Sequence, residues 1–255
     1  MDDSDETASG PPIEAQERYW DDRWGHQRSP NAWQARRADA IFEMLRGLPL
    51  ENPRILDLGC ATGWMTKRLS ELGSAEGIDL SPEAIATARS QYPEIRFRAG
   101  DLYEISLSEE PVDLVVCQEV IPHVSDQRRL VERIAAVTKP GGYLVMTAAN
   151  KFVMERVRDE DGIVGVGPAD PAEHIKKWLD MKGLKRLLEP HFKVLRTTSV
   201  IPMGHRGVLR VINSHRLNKL LGLIVSTQRL EALKERMGLG YSIIALGQKR
   251  GEPSR

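Results

Sequence analysis

Apolar strands alternating with amphipathic helices predict an α/β fold: a doubly wound, mostly parallel sheet with helices on both faces. Three observations carry that expectation. Arg54-Ile-Leu-Asp-Leu58 is a short apolar run that passes through Gly59-Cys-Ala-Thr-Gly63 directly into a helical run, Trp64 to Leu72. Ala75 to Asp79 and Ile95 to Asp101 are further strand-like runs, and each ends in an acid, so the acids collect at one edge of the sheet. Val112 to Gln118 and Tyr143 to Ala149 continue the alternation, with helical residues Gln127 to Thr138 between them.

The elements follow in order. Met1 to Pro12, rich in Asp, Ser, Gly and Pro, is expected to be disordered. A helix from Ile13 carries Tyr19, Trp20 and Trp24, and a second covers Ala32 to Leu48 before Pro49. Ser81-Pro82 starts a helix as N-cap and first helical residue, and it runs to Gln91 before Pro93. Lys139-Pro-Gly-Gly142 reads as a turn ahead of the fifth strand. Beyond Asn150 the expectation is a helix over Phe152 to Val157, a Gly-rich loop over Asp159 to Pro168, and a helix over Pro171 to Glu189. His191 to Ile201 and Tyr241 to Gly247 supply two more strands, separated by a long connection with helical runs near Val208–Leu223 and Leu230–Met237.

The turn after the first strand separates this chain from other nucleotide-binding loops. A dinucleotide fingerprint requires G-x-G-x-x-G, and a P-loop requires a Lys before Ser or Thr. Here the pattern is Asp57-x-Gly59-x-x-x-Gly63 followed by Trp64. The glycines let the backbone turn sharply, and the absence of Cβ leaves room for a ligand near main-chain N–H groups. Asp57 suits a ligand bearing a cationic amino group and would repel a pyrophosphate. Asp79 follows Gly59 by 20 residues (79 − 59), the spacing at which an acid reaches ribose hydroxyls.

Together, D-x-G-x-x-x-G, Asp79 in Gly-Ile-Asp-Leu-Ser, and Gly100-Asp101 resemble the class I S-adenosylmethionine-dependent methyltransferases of small molecules, over roughly Arg54 to Asn150. The Lys-Pro-Gly-Gly turn is a further point of likeness. The resemblance implies a Rossmann-like seven-stranded sheet whose last strand is antiparallel, with S-adenosyl-L-methionine as cofactor. It places Gly59, Cys60, Ala61 and Gly63 under the methionine part, Asp79 with Leu80 at the ribose, and Asp101 with Leu102 beside the adenine. Tyr19 and Trp24 resemble the aromatic N-terminal segment folded over the methionine end, whereas Trp20 and Trp33 read as packing residues. Bland readings stand beside these: Asp57 and Asp101 as turn or cap residues, Cys60 as a small apolar filler, Gln118 as either a cofactor contact or a strand-end polar residue.

The implied organisation is a tail (1–12), a helical N-terminal cap or lid (13–53), a cofactor-binding core (54–201 with 241–250) and a helical insertion (202–240) before the last strand. A sixth strand parallel to the others ends at the ligand-binding edge, so the insertion and the segment after Asn150 are expected to rise over the site.

Composition narrows the function. Lys plus Arg and Asp plus Glu number 36 each, so no global field collects polyanions, and nucleic acid is not an expected partner. Cys60 and Cys117 show neither disulfide nor zinc spacing. No apolar run has membrane-spanning length and no signal peptide is legible, so the expected location is the cytoplasm. A monomer or a homodimer is expected, acting on a small-molecule acceptor. No metal is called for, since a sulfonium methyl is already electrophilic.

For a hydroxyl acceptor the general base is His123, four residues past Glu119 in the loop after the fourth strand. The same imidazole reads equally as a loop-positioning group. Glu119 orients His123 or a substrate amine, or caps the loop. Asn150 and His205 complete the candidate acceptor contacts. Competing functions are methylation of RNA or protein, supported by Arg206, Arg210, Arg216 and Lys219; a membrane-associated lipid or quinone acceptor under the same helix; and a cofactor-binding regulator without turnover.

Overall fold

The computed structural model describes residues 10–24, 29–156, 175–203, 207–212, 214, 219 and 226–251. Two helices, α1 (Ile13–Trp24) and α2 (Ala32–Leu45), precede β1 (Arg54–Leu58), α3 (Trp64–Leu69), β2 (Ser74–Asp79), α4 (Pro82–Gln91), β3 (Arg96–Ala99) and β4 (Val112–Gln118). A 3₁₀ turn at Ile121–His123 leads to α5 (Gln127–Val137), β5 (Thr138–Ala149) and α6 (Lys151–Met154). Then come α7 (Met181–Leu188), β6 (Phe192–Pro202), α8 (Gly207–Ile212), α9 (Thr227–Arg236) and β7 (Gly240–Lys249).

The sheet order is β3-β2-β1-β4-β5-β7-β6. β1 through β5 pair in parallel, and β7 runs antiparallel between β5 and β6. Parallel strands covered on both faces are mostly apolar, as β1 and β4 are apart from Asp57 and Asp113 and their end residues. One face buries Leu56, Leu58, Val115 and Met146 against Leu130 and Ile134 of α5 and Leu184 and Leu188 of α7. The other buries Ile55, Leu114, Val116 and Val145 against Ile41 and Met44 of α2 and Met65 and Leu69 of α3.

Three expectations need correction. Lys139–Gly142 is no turn before a strand; β5 already begins at Thr138, which pairs with Val112, and pairing resumes at Tyr143 opposite Leu114. The four residues are an irregularity within the strand, with Gly141 at φ 77°. Secondly, the helix expected from Pro171 begins only at Met181, where the Asp180 side chain accepts from the Gly183 N–H at 2.6 Å. Ile175 to Asp180 is extended and stitched to the loop after β4: Lys177 N donates to Pro122 O at 2.7 Å, and Gln127 Nε2 to Lys177 O at 2.9 Å. Thirdly, the helix expected over Phe152 to Val157 is the single turn α6, and Asp159–Pro168 lies outside the described residues.

The insertion leaves and rejoins the sheet at the expected edge, where Pro202 pairs with Gly240. Its described helices pack elsewhere. Leu209 of α8 is buried with Val153 and Leu239, and Glu235 of α9 pairs with Arg36 of α2 at 2.8 Å. No helix among the described residues is long and apolar enough to cross a membrane.

Candidate active site

The carboxyl ends of β1, β2 and β4 and the segment after β3 open into one cavity of about 900 Å³. Its floor at β1 is Asp57, 1% exposed. Thr66 Oγ1 donates to Asp57 Oδ2 at 2.7 Å, while Oδ1 has no hydrogen-bond partner among the described residues. Burial pushes this carboxyl up from its ordinary 3.8 to about 7, against the opposing Thr66 bond and with a smaller push from Asp79. A buried carboxylate oxygen lacking a donor fits a ligand that brings a cationic amino group.

Asp79, at the end of β2, holds the turn together: Oδ2 accepts from Ala61 N at 2.8 Å and Oδ1 from Ser81 N at 2.9 Å. Burial raises its pKa. Each oxygen keeps a second lone pair, as a site for ribose hydroxyls requires. Gly59 and Gly63 have φ 74° and 82°. A Cβ on Gly59 would meet Val120 Cγ2 at 2.1 Å, and on Gly63 the Phe97 ring at 2.6 Å. The glycines therefore serve the turn and the packing of neighbouring side chains, and Gly59 also lines the cavity. Cys60, Ala61, Leu80, Asp101, Leu102 and Gln118 all line the cavity. Cys60 also packs with Ile85 and Phe97 as the apolar filler expected of it, and Asp101 Oδ1 accepts from Tyr103 N at 2.9 Å, closing a local turn. The Cys117 thiol is buried in β4, and burial raises its pKa.

Over β4 the lining changes character. His123 Nδ1 lies 2.9 Å from Ile175 O; a carbonyl only accepts, so Nδ1 carries the proton and Nε2 is the basic nitrogen. The ring meets Trp20 edge-on, with centroids 5.1 Å apart. Burial, the largest influence, holds the imidazole below its ordinary value and so neutral near pH 7. Glu119 sits at φ 56°, a left-handed backbone held by Glu119 N donating to Thr147 Oγ1 at 3.0 Å. Its Oε1 accepts from Thr147 Oγ1 at 3.0 Å and from the Ser242 hydroxyl, and faces Arg37 at 3.5 Å. This carboxylate braces the ends of β4, β5 and β7 with α2, and its charge favours protonation of His123.

Tyr19 and Trp24 line the cavity as expected, and so do Trp20 and Trp33, which the sequence reading assigned to packing. With Trp64 and Trp178 they make all five tryptophans of the chain cavity residues. α1 is fastened by Asp21, which accepts from the Ser81 hydroxyl and, at 3.2 Å, from Glu83 N at the start of α4. Arg37, Tyr241 and Lys176 are lining residues that sequence reasoning missed. A polar residue on an otherwise buried α2 face was the available signal for Arg37; nothing local marked the other two.

Asn150 is absent from the lining. Its Nδ2 donates to Gly238 O and Gly240 O, each at 2.8 Å, so the amide locks β7 to the end of β5. Among the described residues none between Pro202 and Gly240 lines the cavity, which is covered instead by α1, the start of α2, Met154 and the 176–178 segment. The expected insertion lid is thus not seen in the described part. His205, Arg206 and Arg216 lie outside the described residues.

Comparison with known proteins agrees with this architecture. A methyltransferase domain model matches residues 56–146. The ubiquinone biosynthesis O-methyltransferase of Alkalilimnicola ehrlichii is 32% identical over 143 residues, 54% of this chain and 57% of that protein. That of Xylella fastidiosa is 32% identical over 139 residues, 52% and 55%. The chain thus spans a little over half the length of these curated relatives. The N-methyltransferase NodS of Bradyrhizobium japonicum, solved with S-adenosyl-L-homocysteine, superposes with TM-score 0.61 at 17% identity, covering 94% of this chain and all of that one. The [4+2]-cyclase SpnF superposes with TM-score 0.57 at 20% identity, covering 89% and 85%; likeness at this level shows the fold alone. Residues 56–146 thus carry a methyltransferase domain, and the strand order of the whole sheet agrees with the fold of the solved methyltransferase.

Proposed function

We propose that the protein transfers a methyl group from S-adenosylmethionine to a hydroxyl oxygen of a small molecule. The observation that carries this reading is a single cavity joining the acids of β1 and β2 to a neutral imidazole over β4. The name of the curated relatives supports oxygen as the acceptor atom. Asp57, Asp79, Asp101 and the Gly59–Gly63 turn hold the cofactor, which supplies a methyl carbon on a cationic sulfur that departs with the bond's electron pair. Asp57 Oδ1 receives the cofactor's amino group and Asp79 its ribose hydroxyls. His123 Nε2 takes the acceptor's proton, worth about 10²–10⁴ in rate. The aromatic wall of α1 keeps water out and confines the acceptor, so that proximity supplies most of the acceleration.

The test is transfer of labelled methyl into a cell extract, separated by molecular size, with Asp79→Asn and His123→Gln as controls. Label in the small-molecule fraction, lost with either substitution, is expected. Label in protein or RNA would overturn the small-molecule reading.

A further inference from the structure

The charged residues of the cavity are sorted by position. Asp57, Asp79 and Asp101 lie toward β1, β2 and β3, and Glu119 is taken up by Thr147, Ser242 and Arg37. Arg23 of α1 and Lys176, both half-buried, line the other end. Neither has a carboxylate within ion-pairing distance among the described residues; the one contact of Arg23 is with the Trp24 face, 4.8 Å from guanidinium carbon to ring centroid. Stacking on a ring leaves the in-plane N–H groups of a guanidinium available to a planar anion. Both cations lie close enough to His123 to disfavour its protonation, against the larger opposing charge of Glu119, and Arg23 acts likewise on the Tyr241 phenol, again against Glu119. They therefore stand at the imidazole end of the cavity, away from Asp57, Asp79 and Asp101 and beside a Glu119 already engaged by Thr147, Ser242 and Arg37.

Resting on the methyltransferase reading above, we propose that the acceptor is an aromatic hydroxy acid: its ring lies among Trp20, Trp178 and Tyr241, its hydroxyl at His123 Nε2, and its anionic group between Arg23 and Lys176. Two half-buried cations lining the same end of the cavity without acidic partners offer charge-assisted donors that an anionic substrate would use and a neutral phenol would not. The charge also fixes which hydroxyl of a polyhydroxylated ring faces the base.

A carboxylate could come from the acceptor or from the methionine part of the cofactor, and calorimetric titration separates the two. Salicylate, protocatechuate and caffeate, each beside its methyl ester, are titrated into the full-length protein saturated with S-adenosylhomocysteine. At least one acid is expected to bind about ten-fold or more tightly than its ester, and Arg23→Gln or Lys176→Gln to remove that preference while Arg23→Lys keeps part of it. Equal affinity of acids and esters, no binding by any acid, or a preference that survives both substitutions would overturn the proposal. So would a loss of S-adenosylhomocysteine affinity in either variant with methylthioadenosine affinity unchanged, because the cations would then serve the cofactor's own carboxylate. Failure of the wild-type protein to bind S-adenosylhomocysteine at all would instead sink the methyltransferase reading.

Discussion

Replacing Asp57 by Asn sets stability against function in a way that pH makes visible. The folded chain holds this carboxyl protonated up to about pH 7, whereas in the unfolded chain it ionises near 3.8. Between those values the folded state binds a proton the unfolded state does not, so the stability of the ligand-free protein falls as pH rises across that window and is flat above it. The interval, at 1.36 kcal/mol per pH unit, amounts to about 4 kcal/mol. Asn cannot ionise and escapes this loss. Its amide oxygen can still accept from Thr66, but its NH₂ group takes the place of the orphaned Oδ1 and costs about 1–3 kcal/mol as a buried donor without a partner. The variant is therefore expected to be less stable than wild type near pH 4 and more stable at pH 8. That swing of about 4 kcal/mol corresponds to a relative change in Tm on the order of 10 °C. Thermal denaturation at both pH values, without ligand, measures it. Binding should move oppositely: loss of a charge-assisted contact weakens S-adenosylhomocysteine about 10–100-fold at pH 8 and removes the rise in wild-type affinity between about pH 5 and 7. An equal stability difference at both pH values, or unchanged affinity, would refute this account of Asp57.

His123→Gln is expected to lower kcat about 10²–10⁴-fold with S-adenosylhomocysteine affinity retained; in wild type, kcat should fall on acidification through a pKa below 6.5, since burial lowers the imidazole's value, and a flat profile from pH 5 to 8 would exclude it as base. Asp21→Ala removes the fastening of α1 to α4, costing about 1 kcal/mol of cap energy and shifting tryptophan emission to the red as Trp20 and Trp24 meet water, an effect S-adenosylhomocysteine should partly reverse. Asn150→Ala strands two buried carbonyls, at Gly238 and Gly240, and should cost about 2–4 kcal/mol in denaturant titration without altering cofactor affinity, whereas a role in acceptor binding would show as a raised KM at unchanged stability.

What was legible in the sequence was what is local. β1 and β4 are buried on both faces, so their apolar runs stand out, β2 ends in a buried acid, and the D-x-G-x-x-x-G turn has its positive-φ glycines at fixed positions. Asp57, Asp79 and His123 could be expected at the cavity because each sits at or just past a strand end. Asn150 was misread by the same logic: it too follows a strand, but its amide satisfies carbonyls 88 and 90 residues away, which no local pattern reports. Arg37, Lys176 and Tyr241 reach the cavity from α2, an extended segment and β7, brought together only by the sheet order. The extended 175–180 stretch was masked by its lysines and Trp178, which suit a helix as well; hydrogen bonds to the β4–α5 loop decide the conformation, with Asp180 marking the true start of α7.

The difference between floor and roof of this cavity has a functional consequence. The floor is made of strand ends continuous with the core, whereas α1 contributes no buried residue of its own. Its attachments include the two Asp21 contacts and aromatic edges such as Trp20 on His123. A helix of 12 residues is marginal in isolation, so the roof that α1 forms belongs to the least stable part of the cavity wall, while the strand ends of the floor belong to the most stable. Opening α1 breaks few contacts and exposes the acceptor end without disturbing Asp57 or Asp79. Under the proposed function, acceptor exchange would proceed over a floor that stays assembled, and tightening α1, for instance by a covalent link to α4, should slow product release before it affects cofactor affinity.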